Sequence, residues 1–224
     1  MHMNAPGHLS LSQRLKQVTA AHHARVERSG PMPALLRGEL GLTAYCTLLR
    51  NLHTIYRDLE AALARNAAHP GLAGLDIDGL ARRAALEADL ATLHGDGWAD
   101  ALPLTDAAAD YAARLSELSA SRPELLLAHV YVRYFGDLQG GQILQRIVAR
   151  CFALDGETGT RFYRFGAHAP AELSARLRAA LDGPSRDDAT QTAIAGEAEA
   201  AFLRHVEIFE ALPVGDAAAL RADG

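Results

Sequence analysis

The chain has 224 residues, 49% of them apolar, with a formal net charge of −5. That is enough for one sizeable core in a single domain. Its Lys and Arg are scattered and form no basic run, which excludes a nucleic-acid partner. No apolar run approaches the roughly 20 residues needed to span a bilayer, and the N-terminus lacks a basic stretch followed by an apolar one, so a cytoplasmic protein without a membrane partner is expected.

In chain order, Ser12 to Glu27 reads as the first helix, with Leu11, Leu15, Val18, His22 and Val26 on an apolar stripe. Lys16, Thr19, His23 and Glu27 share a neighbouring face at spacings of three and four. Two adjacent histidines stand here. The stripe makes His22 the more buried, and spacing does not choose which one could serve as a ligand.

After the turn Gly30-Pro31-Met32-Pro33, the residues Leu42, Tyr45, Leu48, Leu49, Leu52, Ile55, Tyr56, Leu59 and Leu63 recur on one face of a helix of about six turns. His69-Pro70-Gly71 ends it. Further helices are predicted over Leu80–His94 and Asp106–Ala120, the second closed by Ser121-Arg122-Pro123. Glu124 to Ala153 reads as one long helix, followed by Asp155-Gly156. Ala169–Leu181, the stop Asp182-Gly183-Pro184, and Asp188–Leu212 complete the chain. Strand-like alternation is almost absent, so the expectation is an all-α, irregular bundle of six to eight helices. Cys46 and Cys151 lie in separate apolar helical segments and read as ordinary reduced core thiols.

The long helix contains an anomaly. Gly136, Gly140 and Gly141 interrupt its middle, and each costs a helix interior about 0.8 to 1 kcal/mol relative to Ala. Gly136 and Gly140, four apart, let the backbone approach either a neighbouring helix or a flat ligand. Asp137 beside them is either a partner of Arg133, one turn earlier, or a carboxylate ordering water and passing protons. No Glu-x-x-His occurs, which argues against a di-iron carboxylate bundle. Nor is there a Gly-rich nucleotide fingerprint, so a redox reaction here would draw electrons from another protein.

The stretch Ala128-His129-Val130-Tyr131-Val132-Arg133-Tyr134-Phe135-Gly136-Asp137-Leu138-Gln139-Gly140-Gly141-Gln142 resembles the signature segment of heme oxygenases. Leu15-Lys16, Thr19, His23 and Glu27 resemble that family's first helix, and the likeness runs from about residue 9 to 213. It implies a heme oxygenase domain over 9–213 between a flexible N-terminus, 1–8, and a flexible tail, 214–224. Heme would lie sandwiched between a proximal helix and a kinked, Gly-rich distal helix. It would be both substrate and cofactor, cleaved by O₂ and reducing equivalents to biliverdin, CO and ferrous iron. The alternative is a heme-binding or trafficking protein that has kept the fold without turnover.

The same resemblance implies residue roles. His23 becomes the iron ligand, oriented by a carboxylate or carbonyl on its other ring nitrogen. Asp137 would organise the distal water network that supplies protons, with Gly136, Gly140 and Gly141 as the bare shelf and Tyr56 and Arg133 as its neighbours. Lys16, Tyr131 and Arg178 are the implied partners of the heme propionates, and Thr19, Glu27, Phe202 and Phe209 line the pocket. Gln139, Ala20 and Ser174 depart from the family pattern, the first where Ser is frequent and the others where basic residues are. The implied partners are an external electron donor, a ferredoxin or flavoprotein reductase, and a downstream bilin acceptor.

Overall fold

The computed structural model describes residues 9–77, 79–166 and 168–212. The expected flexible segments 1–8 and 214–224, and the domain's last expected residue, lie outside these. The described residues form α1 (Leu11–Val26), α2 (Met32–Arg37), α3 (Leu42–Arg65), α4 (Arg83–Leu93), α5 (Trp98–Ala101), α6 (Asp106–Ser121), α7 (Leu126–Val130), α8 (Gly136–Cys151), α9 (Pro170–Asp182) and α10 (Asp188–Ala211). Among them there is no strand. The count exceeds the expected six to eight because the short α2 and α5 were not foreseen and because the long helix is divided. A five-residue π segment, Tyr131–Phe135, separates α7 from α8.

That division relocates the irregularity expected at the glycines. The three glycines sit within regular α-helix, and the extra residue of the π turn falls just ahead of them. Single π turns inside α-helices shift the register of everything that follows. Here the shift sets the azimuth of Asp137 and the glycine face.

The ends of α1 are determined by side chains. Ser10 Oγ accepts from the Gln13 amide, and the Gln13 side chain accepts from the Ser10 amide at 3.0 Å, a reciprocal cap. Asp182, at the end of α9, accepts from the Ser12 amide and from the Ser12 hydroxyl, each at 2.8 Å. A carboxylate thereby satisfies an otherwise orphaned amide at the positive end of the helix. Leu11, Leu15 and Thr19 turn inward, and α1 packs chiefly against α10, with α9 beside it.

The predicted stripe of α3 is buried almost throughout, Leu42 alone being partly exposed. It forms the central strut against α4, α6 and α7. The helix expected from Leu80 begins later, at Arg83. Glu60 of α3 accepts from the Arg82 and Arg83 amides, at 2.6 and 3.1 Å, and so fixes where α4 starts. Asp89 on α4 accepts from the Arg161 and Phe162 amides at 3.0 and 2.8 Å. This anchors the 3₁₀ turn Arg161–Tyr163 against α8.

Candidate functional site

A cleft of about 280 Å³ lies between α1 and α10 on one side and the π segment and α8 on the other. That is close to the roughly 300 Å³ at which clefts for small organic ligands begin. Its α8 wall exposes Gly136 and Gly140, and a Cβ built at either would meet nothing within 4 Å. Gly141 differs. Its missing Cβ would lie 3.6 Å from the Tyr163 carbonyl oxygen, so this glycine serves the packing of α8 on the 3₁₀ turn and does not line the cleft. The three-glycine shelf expected from sequence is therefore a two-glycine shelf with a packing glycine behind it.

Beside the shelf, Asp137 accepts a hydrogen bond from the Tyr56 hydroxyl. Arg133 donates to the same hydroxyl oxygen through Nε at 3.2 Å and a terminal nitrogen at 3.1 Å. Its direct approach to Asp137 is only 3.9 Å, so Tyr56 stands between the two charges and the simple ion pair is the weaker contact. Burial pushes the Asp137 carboxyl above its ordinary value, against the pull of Arg133 and the Tyr56 hydrogen bond. Burial also raises Tyr56 well above the ordinary phenol. For Arg133, burial works toward the neutral form, but Tyr56 and Asp137 outweigh it and the guanidinium stays charged.

Across the cleft, α1 contributes Thr19, His23, Val26 and Glu27. His23 Nδ1 faces Glu27 Oε1 at 3.4 Å, one turn on, and no described residue bonds Nε2. His22 is the more buried of the pair, as the stripe predicted. It turns instead toward Glu199, 3.6 Å away, and stacks on Phe202 at 6.3 Å, outside the cleft lining. Thr19 lines the cleft, but its hydroxyl donates to the Leu15 carbonyl at 2.7 Å, leaving its methyl as the group offered to a ligand. From α10 come Phe202, His205 and Phe209.

Tyr131 reaches the cleft, its ring 5.1 Å from that of Phe135. Lys16 is exposed and outside the lining. Arg178 of α9 lies over the Phe135 ring at 5.9 Å and is also outside the lining. Of the three residues implied for an acidic ligand edge, the structure thus brings one to the cleft. His205 and the Phe162–Tyr163 pair line it without having been singled out. A lone histidine on an Ala-rich helix carries no distinguishing spacing, and only the packing of α10 against the π segment reveals it.

The wall chemistry is specific. One face offers an imidazole nitrogen backed by a carboxylate, a common arrangement for a metal ligand. The opposite face offers bare backbone and a partly buried carboxylate held by phenol and guanidinium. Aromatic and aliphatic side chains fill the rest. This is an all-helical protein with a cleft whose walls suit a flat, largely apolar, metal-bearing ligand.

Comparison with known proteins agrees. A family model described as heme oxygenase matches residues 9–211. The chain is 34% identical to heme oxygenase 1 of Nostoc over 91% of this chain and 86% of that protein. It is 37% identical to the rat heme oxygenase 1 over 90% and 71%. The heme oxygenase structure from Leptospira interrogans superposes with a TM-score of 0.86 at 32% identity, covering 91% of this chain and 100% of that one. The heme complex of the Synechocystis heme oxygenase-1 gives 0.85 at 32%, covering 90% and 91%. The chain belongs to the heme oxygenase family, oxidoreductases that degrade heme.

Proposed function

We propose that this chain binds heme between α1 and α8 and cleaves it oxidatively, with O₂ and reducing equivalents, to biliverdin, CO and ferrous iron. The observation that carries the reading is the pairing, across one cleft, of His23 backed by Glu27 with Asp137 held by Tyr56 and Arg133. The residues fit the group: a free imidazole nitrogen for iron, two glycines whose absent side chains leave room for a flat face, and apolar rings between them.

Heme, when bound, supplies the iron on which O₂ is activated. The protein's part is positioning and proton supply. His23 would hold the iron through Nε2, with Glu27 facing Nδ1 at 3.4 Å to fix the ring and make the imidazole a better donor. Gly136 and Gly140 admit close approach of the backbone. Asp137 orders water on the distal side and passes protons, and Tyr56 and Arg133 hold its carboxyl in place. Phe202 and Phe209 exclude bulk water. Tyr131, at the cleft, is the phenol available to a propionate.

No helix among the described residues is long and apolar enough to cross a membrane. We place the protein in the cytoplasm, with electrons arriving from a ferredoxin or flavoprotein reductase and a bilin acceptor receiving the product. The test is aerobic incubation of the heme-loaded protein with a reductant, followed by identification of the bilin. Formation of biliverdin with release of CO is the expected result. Intact heme after many equivalents of reductant would overturn the enzymatic reading in favour of simple heme binding.

A further inference from the structure

The Asp137–Tyr56–Arg133 chain does not end at Arg133. The other terminal nitrogen of that guanidinium lies 2.8 Å from Nδ1 and 3.1 Å from Nε2 of His205 on α10, and donates to whichever of the two carries no proton. His205 is 6% exposed, lines the same cleft, and is braced from behind by the Phe209 ring at 4.2 Å. A cation laid against an imidazole requires a neutral ring. Burial and Arg133 together do hold His205 well below its ordinary value.

Nothing so far gives this ring a purpose, yet the network needs one. The Tyr56 hydroxyl has a single proton. Asp137 accepts it, and the guanidinium donates to the same oxygen from the other side, so the place of the hydroxyl is set from both directions. Arg133 has five donors in a rigid fork, and the fork can keep two of its nitrogens on Tyr56 only if its remaining side is also held. His205 is the group that holds it. A Leu there would leave a buried guanidinium nitrogen without an acceptor, and the fork would turn to find one.

We propose that His205 is a positioning residue for the distal acid: as a neutral imidazole it locks the Arg133 guanidinium, which in turn holds in place the Tyr56 hydroxyl that donates to Asp137. The consequence for chemistry rests on the heme oxygenase reading above, whereas the locking itself does not. With the chain intact, protons arrive at the distal side in a fixed direction. With it slack, more of the oxygen reduced in the cleft leaves as hydrogen peroxide without cleaving the macrocycle.

The experiment compares the wild type with His205→Leu and His205→Asn, the second retaining an acceptor. In the ligand-free protein, NMR should show His205 as a single neutral tautomer and a slowly exchanging Arg133 Nε–H. His205→Leu should speed that exchange by about tenfold or more, the cost of a lost hydrogen bond to a charged donor, and His205→Asn should largely restore it. In the heme-loaded protein, the ratio of biliverdin to hydrogen peroxide per reductant consumed should fall in His205→Leu and recover in His205→Asn. Unchanged Arg133 exchange in a folded His205→Leu chain would overturn the proposal, as would a protonated His205 at neutral pH. Absence of biliverdin from the wild type would sink the functional reading while leaving the exchange result to stand or fall alone.

Discussion

Gly140 and Gly141 are neighbours in sequence with different duties, and alanine substitution separates them. Both sit in regular helix, so replacing either by Ala stabilises the helix by about 0.8 to 1 kcal/mol. No steric penalty offsets this. At Gly140 the new methyl meets nothing within 4 Å, and at Gly141 its nearest neighbour is 3.6 Å away, an ordinary contact. For a chain of this length, each substitution should raise the melting temperature of the ligand-free protein by about 2 to 4 °C. Heme affinity should split them. The Gly140 methyl projects into the cleft, and overpacking of that kind costs about 1 to 3 kcal/mol, so the heme dissociation constant should rise roughly fivefold or more. Gly141→Ala should leave it within about twofold, since its methyl points away from the cleft. Thermal unfolding of the ligand-free variants and heme titration followed in the Soret band measure the two effects. A destabilised Gly140→Ala protein, or equal losses of heme affinity in both variants, would refute the division of the shelf.

Asp137→Ala should retain heme, because His23 is untouched, but slow biliverdin formation by about a hundredfold or more, the usual worth of a positioned acid–base group. An unchanged rate would remove Asp137 from its role. Acid should weaken the fold through buried imidazoles. His129 and His205 both have folded values below the ordinary histidine one, so this stability is present above about pH 6.5 and is lost as pH falls through the folded values. His205, held well below the ordinary value, should forfeit up to about 1.4 kcal/mol between pH 7.5 and 5.5, measured by urea unfolding, and His205→Asn should remove that part of the pH dependence. The raised carboxyls Asp137, Glu60 and Asp89 act with the opposite sign, gaining protons in the folded state first, which is why the difference between variants is the informative quantity. Asp182→Ala removes the tether at the start of α1 and should cost about 1 to 2 kcal/mol, with amide exchange rising first in the turn containing Ser12.

The helices announced themselves wherever one face is apolar and the other wet. The stripe from Tyr45 to Leu63 needed only the 3.6-residue period to be placed correctly, because burial repeats with that period. Boundaries set by distant side chains were not legible: α4 begins at Arg83 because Glu60, a residue on another helix, takes the preceding amides. The π turn at Tyr131–Phe135 left no signal either, since its residues are good α-helix company and only the demands of packing insert the extra residue. In the site, His23, Asp137, Gly136 and Gly140, each carried by a local motif, line the cleft, while Gly141 packs behind it. Residues brought together from sequence-distant helices left less signal: His205 lines the cleft without a role having been expected of it, and Lys16 and Arg178 lie outside the lining.

The way α1 is held has a consequence for how the protein is made. Its partners are α10 and α9, and the cap at its first turn bridges residues 170 apart in the chain. A ribosome therefore releases the helix bearing His23 long before the surface it rests on exists. Until then that helix has no apolar wall to bury against, and short amphipathic helices in water are marginal. His23 and Asp137, which line one cleft, therefore come together only once α10 has been made, and a chain interrupted before it would lack one wall of that cleft.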